Sequence, residues 1–182
     1  MRWFVALAGV LMIAGCAAEP SPTATSDPEP SAEAPSLGVL DSLDTACVDA
    51  TGDGSLGGDL TTTQLIESQG LLFVTFNLAG NVQSTDFDST TVQVLSYGLD
   101  GNGGYIIGTQ FTDGSELATY VFDNTEARQE NLDNGTVFAD GMVAMRVPLD
   151  MVASLGAGFE WRVTLTVDGV DVDECDWVTV EV

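Results

Sequence analysis

Histidine and lysine are both absent from this sequence of 182 residues, and arginine is its only basic residue. Without imidazole or amine side chains, the chain has no histidine acid or base, no Schiff-base lysine, no Ser-His or Cys-His nucleophile and no histidine metal ligand. Four arginines stand against 28 acidic residues, so the formal net charge is -24. A nucleic acid partner is excluded, because its phosphates would be repelled by such a chain.

A hydrophobic stretch long enough to span a membrane is also missing. The apolar run at residues 3–14 has 12 residues, whereas a transmembrane helix needs about 20. The run follows the positively charged Arg2, an arrangement typical of a signal peptide. It ends in Met-Ile-Ala-Gly-Cys at residues 12–16, which resembles the bacterial lipobox, where an aliphatic residue and two small residues precede a lipid-accepting cysteine.

The lipobox resemblance implies that residues 1–15 are a lipoprotein signal peptide and that Cys16 becomes the acylated N-terminus. The protein would then be attached to the extracytoplasmic face of a bacterial cell membrane through its lipid, each buried CH₂ contributing about 0.8 kcal/mol. An ordinary secretory signal that carries a cysteine by chance is the alternative interpretation.

Residues 16–36 contain no aromatic or large aliphatic side chain. Five of the six prolines of the sequence lie here, among alanine, serine, threonine and acidic residues. Such a composition cannot bury enough apolar surface to offset the entropy of ordering. We therefore predict a disordered, extended tether, which is either a spacer that holds a domain away from the membrane or a removable leader.

Residues 37–182 carry a β pattern, with short apolar runs separated by Gly, Asn and Asp. Residues 159–167 alternate strictly between apolar and polar, and Asp-Gly or Asn-Gly pairs at 113–114, 134–135, 140–141 and 168–169 favour tight hairpin turns. One short helical turn is predicted at 149–155. The nine candidate strands are residues 60–69, 71–78, 91–97, 105–111, 117–122, 136–138, 142–148, 159–167 and 177–182. This pattern predicts an all-β, antiparallel two-sheet sandwich of the jelly-roll or Ig-like kind.

Three cysteines are an odd number for a secreted chain. If Cys16 carries lipid, Cys47 and Cys175 remain as a pair that would join the two ends of the domain in an oxidising compartment. Two buried free thiols are the alternative. A catalytic cysteine is not expected, because the chain offers no base to activate it.

Several short motifs resemble DOMON-like and family-nine carbohydrate-binding-like β-sandwiches. The opening part of the resemblance is Asp-Ala-Thr-Gly-Asp-Gly at 49–54, Asp-Leu-Thr at 59–61 and the strand at 71–78; the closing part is Val-Pro-Leu at 147–149 and Phe-Glu-Trp at 159–161. The resemblance implies a sandwich that binds sugar or haem, but it transfers no ligand residue. Haem is not expected, because histidine is absent and Met142, Met145 and Met151 are interpreted as core residues.

Calcium is the cofactor best suited to a chain rich in aspartate and without histidine. Asp49, Asp53 and Gly54 match positions of an EF-hand loop, but Thr51 and Leu60 occupy ligand positions that they cannot fill. A second acidic cluster spans residues 168–176, where like charges would be relieved by a cation. A solvated acidic loop without metal is the alternative interpretation, and no cofactor is assigned.

Sugar binding requires exposed aromatic rings. Trp161 shares a face with apolar neighbours and is predicted to be core, whereas Trp177 is predicted to be half-exposed or to pack on the Cys47–Cys175 bridge. Tyr97 and Tyr105 flank the glycine-rich loop at 98–104 and are predicted to form a rim.

The function predicted from the sequence is therefore a lipid-anchored binding or interaction module, not an enzyme. Its expected partners are the membrane, through the lipid anchor, and a cell-envelope glycan or protein; a carbohydrate-binding module is the alternative. Catalysis would have to rest on a pair of carboxylates, and so many are present that finding two is uninformative. The sequence does not address the oligomeric state.

Overall fold

Alternation of apolar and polar residues produces eleven strands in the computed structural model, which describes residues 37–56, 58–79, 86–133, 136–139 and 141–181. The predicted signal peptide, Cys16 and the predicted tether lie outside these described residues. In chain order the strands are β1 (Asp44–Val48), β2 (Leu60–Ser68), β3 (Leu71–Leu78), β4 (Ser89–Gly98), β5 (Gly104–Thr112), β6 (Ser115–Asp123), β7 (Arg128–Asn131), β8 (Thr136–Ala139), β9 (Met142–Pro148), β10 (Phe159–Val167) and β11 (Val170–Val180).

The strands form two sheets, and neighbouring strands within each sheet run antiparallel. The five-stranded sheet has the order β1-β2-β3-β9-β8, and the six-stranded sheet has the order β11-β10-β4-β5-β6-β7. The predicted all-β, two-sheet antiparallel sandwich is confirmed. Within the described part of the chain, no helix has the length and apolar character needed to cross a membrane.

The core lies between the two sheets and is filled by the apolar half of each alternating strand. In β3, every second residue from Leu72 to Leu78 is buried, and in β10 Trp161 is completely buried. Met145 is also buried, in agreement with its interpretation as a core residue. Apolar burial of this kind contributes about 25 cal/mol per Å², so the alternation that defines the strands also supplies the main stabilising term.

A disulfide joins the two sheets at one edge. Cys47 of β1 and Cys175 of β11 form the predicted bridge, with their Cα atoms 6.3 Å apart, and both side chains are buried. Because β1 ends the five-stranded sheet and β11 ends the six-stranded sheet, the bridge ties together two edge strands that are distant in sequence.

Two strands were not expected from the sequence, and one begins earlier than expected. β7 is exposed at all four positions, so it has no alternation to detect, and β1 is only five residues long. β11 starts at Val170 rather than at residue 177. Its acidic first half joins the sheet because carboxylates such as Asp173 find partners, here the Leu60 N–H at 2.6 Å.

The turns and the helical segment follow the sequence closely. Asp113-Gly114 and Asp168-Gly169 both have positive φ at each residue, as their hairpin turns require. The Asn-Gly pair at 134–135 and the aspartate of the Asp-Gly pair at 140–141 lie outside the described residues. The predicted helical turn is a 3-10 helix, Leu149–Ala157, which begins after Pro148.

A close contact between glycines fixes the start of the described chain. A short 3-10 helix, Gly38–Ser42, packs beside the second 3-10 helix. A Cβ atom on Gly38 would lie 2.0 Å from the carbonyl oxygen of Gly156, so only glycine fits there. Gly38 therefore lies beside the end of the second 3-10 helix. The loop between β4 and β5 lies at the same end of the sandwich, because the Leu99 N–H in that loop donates to the carbonyl of Gly158, which follows this helix, at 3.0 Å.

Candidate functional site

An exposed aromatic pair lies on the outer face of the six-stranded sheet. Trp177 is 44% exposed and Tyr97 is 41% exposed. Their ring centroids are 5.8 Å apart, and the ring planes are inclined by 49°. Since β10 lies between β11 and β4, the sheet brings together two residues that are 80 positions apart in the sequence.

A register shift in β11 places Trp177 next to Arg162. Trp161 pairs with Val178 and Val163 pairs with Cys175, so one extra residue of β11 lies opposite Arg162. Such a bulge re-aims a side chain that would otherwise follow the regular alternation. Trp177 therefore lies on the outer face, while the neighbouring Cys175 is buried in the disulfide.

Together with Arg162, the two aromatic residues form an aromatic platform, which consists of Tyr97, Arg162 and Trp177. Arg162 has its guanidinium carbon 5.1 Å from the Trp177 ring centroid, within the range of a cation–π interaction. Its Nη1 donates to Oε2 of Glu174 at 3.0 Å. The ion pair is solvent-accessible and contributes at most about 1 kcal/mol, but it holds the guanidinium in place against the indole.

Gly104 makes room for the Tyr97 ring. Tyr97 pairs with Gly104 across β4 and β5, and a Cβ atom on this glycine would lie 2.8 Å from Cδ1 of the tyrosine ring. The ring therefore lies over the bare glycine backbone. The loop that follows Tyr97 is closed by the Gly98 N–H, which donates to the Gly103 carbonyl at 3.0 Å. The backbone of Gly104 and this closed loop together restrict the position of the tyrosine ring.

Tyr105 does not join this platform, so its prediction as a rim residue is wrong. Its side chain is only 7% exposed, and its hydroxyl accepts a hydrogen bond from Ser154 Oγ at 2.9 Å. Because Gly104 faces outward, the next residue of β5 must face inward. Arg162, which sequence reasoning did not single out as a site residue, takes part instead; the strict alternation of β10 already assigned it to the outer face.

The two acidic segments noted in the sequence meet at one point. Among the described residues, Asp49, Asp53 and Asp173 bring carboxylate oxygens within 4.8 Å of one another. The loop that carries Asp53 is shaped by the Asp59 carboxylate, which accepts the Gly52 N–H at 2.9 Å. Calcium prefers carboxylate oxygens of this type as ligands. Calcium binding stays a prediction, and the triad is where we expect the ion to bind if it binds at all.

Three other acidic residues of the second cluster have separate structural partners. The Asp168 carboxylate accepts the Ser89 N–H at 2.8 Å, the Asp171 carboxylate accepts the Thr166 hydroxyl at 2.8 Å, and Glu174 pairs with Arg162. The acidic side chains at 168–176 therefore contact different partners along the strand. Asp173 is the member whose carboxylate lies close to those of the first cluster.

The pKa of Asp49 is raised by burial and by the neighbouring carboxylates of the triad. Burial raises the pKa of Asp49 above its ordinary value of 3.8, and the neighbouring carboxylates of Asp173 and Asp53 raise it further, against the lowering effect of a hydrogen bond from the Ala50 backbone. The folded protein thus holds this proton more tightly than the unfolded chain does. Stability is lost as the pH rises from 3.8 through the raised folded pKa.

Neutralising Asp49 is therefore expected to stabilise the protein at neutral pH. In chelator, Asp49→Asn should raise the melting temperature by about 2–4 °C, because like-charge contacts near a surface cost up to about 1 kcal/mol. The gain should shrink towards zero below pH 3.8, where Asp49 is protonated in both states. Differential scanning fluorimetry across this pH range, with the exposed Asp150→Asn as control, measures the effect.

The expectation for Asp49 would be contradicted if Asp49→Asn and Asp150→Asn shifted the melting temperature equally, since removal of net charge alone would then explain both. The same samples test calcium. A melting temperature that does not move when millimolar calcium follows the chelator would reject calcium binding.

Comparisons with protein-family models, with curated protein sequences and with solved structures find no match for this chain. The proposed function therefore rests on the residues of the site itself.

Proposed function

We propose that this chain is a lipid-anchored, extracytoplasmic binding module without catalytic activity, and that it binds a carbohydrate of the cell envelope on the aromatic platform. The observation that carries the proposal is the exposed Tyr97–Trp177 pair, held by Arg162 on one side and by Gly104 from below.

The chemistry of the platform suits a sugar ring. Aromatic side chains combine a large apolar surface with a polar edge, so they stack on the C–H face of a pyranose while leaving its hydroxyls accessible. Arg162 and Glu174 supply a donor and an acceptor at the border of the stacking surface. In small-molecule sites, a few polar groups at the border of an apolar surface fix the orientation of the ligand.

A binding role fits the composition better than catalysis does. The chain lacks histidine and lysine, and Glu174, the carboxylate that holds Arg162 at the platform, is engaged in that ion pair. The net charge of -24 limits partners to neutral or basic molecules or to those bridged by cations. Neutral polysaccharide meets this condition.

Loss of Trp177 is expected to weaken glycan binding strongly while leaving the fold intact. A glycan array and pull-down on insoluble cellulose, chitin, xylan and starch with the purified protein should detect binding that falls by at least about tenfold in Trp177→Ala, since the exposed indole supplies much of the stacking area. Leu117→Ala removes another exposed apolar side chain, in β6 rather than on the platform, and serves as the matched control.

The carbohydrate assignment would be rejected by an empty array and empty pull-downs, or by a Trp177→Ala protein that binds as well as the wild type. In either case a protein partner of the envelope becomes the better interpretation of the platform. Unchanged circular dichroism and melting temperature in the variant separate loss of binding from loss of fold.

A further inference from the structure

The platform continues as a row of apolar side chains across the six-stranded sheet. Arg162 pairs with Leu95, Leu95 pairs with Ile106, and Ile106 pairs with Phe122. Paired residues of antiparallel strands lie on the same face of the sheet, and these three apolar residues are all half-buried rather than enclosed. From Trp177 in β11 to Phe122 in β6 the row crosses five strands, a length of about 19 Å at 4.8 Å per strand.

A polar row runs beside the apolar row, two residues along each strand. Thr164 pairs with Gln93, Gln93 with Gly108, and Gly108 with Tyr120. The Tyr120 hydroxyl donates to Oε1 of Gln93 at 3.1 Å, and Nε2 of Gln93 donates to Thr164 Oγ1 at 3.2 Å. The row therefore presents a connected set of polar groups along one side of the apolar surface.

Gly108 is what lets this hydrogen-bonded row form. A Cβ atom on this glycine would lie 2.9 Å from the Cβ of Gln93 and 3.1 Å from the Tyr120 hydroxyl oxygen, so any side chain at this position would separate the two partners. Gly104 and Gly108 both face outward on β5, where the Tyr97 ring covers the first and the hydrogen-bonded Gln93 and Tyr120 side chains cover the second.

Across three of its strands this face is uncharged, although the molecule is strongly acidic. The outward residues at 91–97 of β4, 104–110 of β5 and 118–122 of β6 include neither acids nor bases. The one cation of the row, Arg162, is paired with Glu174. Glu160 of β10 faces outward beside Tyr97 of the neighbouring strand, so the border of the row at the platform is acidic. An anionic ligand is disfavoured there, and the uncharged part of the face in β4, β5 and β6 suits a neutral molecule.

We infer that the outer face of the six-stranded sheet is an extended track for one linear chain of a neutral polysaccharide, lying across the strands from Trp177 to Phe122. The inference rests on the proposed function and makes it more specific: several consecutive sugar rings are bound rather than one terminal ring. Each ring stacks on the apolar row and directs its hydroxyls to Gln93, Tyr120 and solvent.

An extended peptide is the other linear ligand of this length, and the face suits it less. A peptide laid on the face of a sheet finds no row of backbone donors and acceptors, so its own N–H and C=O groups are left without partners over the apolar row. Peptides add to sheet edges for this reason. The hydroxyls of a sugar project from the ring edge and reach the polar row and water.

Chain length and the far end of the row provide the test. Titration calorimetry with cellohexaose, chitohexaose, xylohexaose and maltohexaose, each beside its monosaccharide, should find a hexasaccharide that binds at least about tenfold more tightly than its monosaccharide. Phe122→Ala should weaken that hexasaccharide by roughly tenfold and leave the monosaccharide unchanged. Trp177→Ala should weaken both.

Phe73→Ala is the matched control, because Phe73 is a half-buried phenylalanine facing outward from the middle of β3 in the other sheet; it should bind all sugars as the wild type does. If Phe122→Ala fails to fold, Ile106→Thr tests the same row and should give the same selective loss for the hexasaccharide.

Two results separate the failure of the track from the failure of the proposed function. Equal affinity for a hexasaccharide and its monosaccharide, both weakened by Trp177→Ala, overturns the track but leaves sugar binding at the platform. Polysaccharide pull-down without binding of any hexasaccharide also overturns the track. No binding to oligosaccharides or polysaccharides contradicts the proposed function itself.

Discussion

Removal of the Cys47–Cys175 bridge is expected to lower the melting temperature by roughly 10–20 °C. The two cysteines are 128 positions apart, and closure of a loop this long restricts the unfolded chain by about 5 kcal/mol in the loop-entropy picture. The bridge also joins the edge strand of one sheet to the edge strand of the other. Without it, β1 would be held mainly by its pairing with β2.

The measurement compares three samples by differential scanning calorimetry: wild type, wild type in reductant, and the double variant Cys47→Ala, Cys175→Ala. Alanine is preferred to serine here, because two serine hydroxyls would be left without hydrogen-bond partners in the buried position that the sulfurs occupy. The reduced wild type and the double variant should melt at similar temperatures. If both stay within about 3 °C of the oxidised wild type, packing alone holds the two edges together and the bridge is dispensable.

The strands of the sandwich could be predicted because burial on one face of a sheet leaves a period of two in the sequence. β3, β9 and β10 have the bounds that the sequence pattern predicts. β7 could not be predicted, since it pairs with β6 through its backbone and buries none of its side chains. The acidic half of β11 could not be predicted either, because carboxylates are poor strand formers unless partners far away in the sequence receive them.

The candidate site was predicted in part, and the limit is set by non-local pairing. The local sequence predicts that Trp177 is half-exposed or packs on the bridge, and that Tyr97 belongs to a rim. The contact between the two rings depends on the order β11-β10-β4, which no local pattern encodes. Tyr105 was assigned to the rim because it flanks the loop. Its true orientation depends on where β5 begins, and a shift of one residue reverses the face of every side chain.

The acidic triad could not be predicted for the same reason, because it depends on a contact between residues that are far apart in the sequence. Asp49 and Asp53 form a recognisable local motif, but the third carboxylate, Asp173, arrives from the last strand. A short linear motif such as an EF-hand loop supplies all its ligands from one segment, and so the sequence could reject an EF-hand without revealing that two acidic segments converge.

Replacement of Cys16 by serine is expected to remove the whole of the lipid modification. In the proposed anchor, the only source of membrane affinity is the lipid, because the chain has no lysine and no cluster of arginines to bind anionic headgroups. A single acyl chain gives marginal binding, and stable anchoring takes a second chain or a polybasic segment. A diacylglycerol on Cys16 supplies both chains, so an anchor of this kind is sufficient without any basic residue.

The test is fatty-acid labelling in the producing bacterium together with mass spectrometry of the N-terminal peptide. Wild-type protein from the membrane fraction should begin at Cys16 and carry a diacylglycerol, and Cys16→Ser should incorporate no label. The double variant Cys47→Ala, Cys175→Ala retains Cys16 and should be labelled like the wild type, which shows that the lipid is specific to one cysteine. A mature wild-type chain with an unmodified Cys16 thiol would contradict the anchor and favour an ordinary secretory signal.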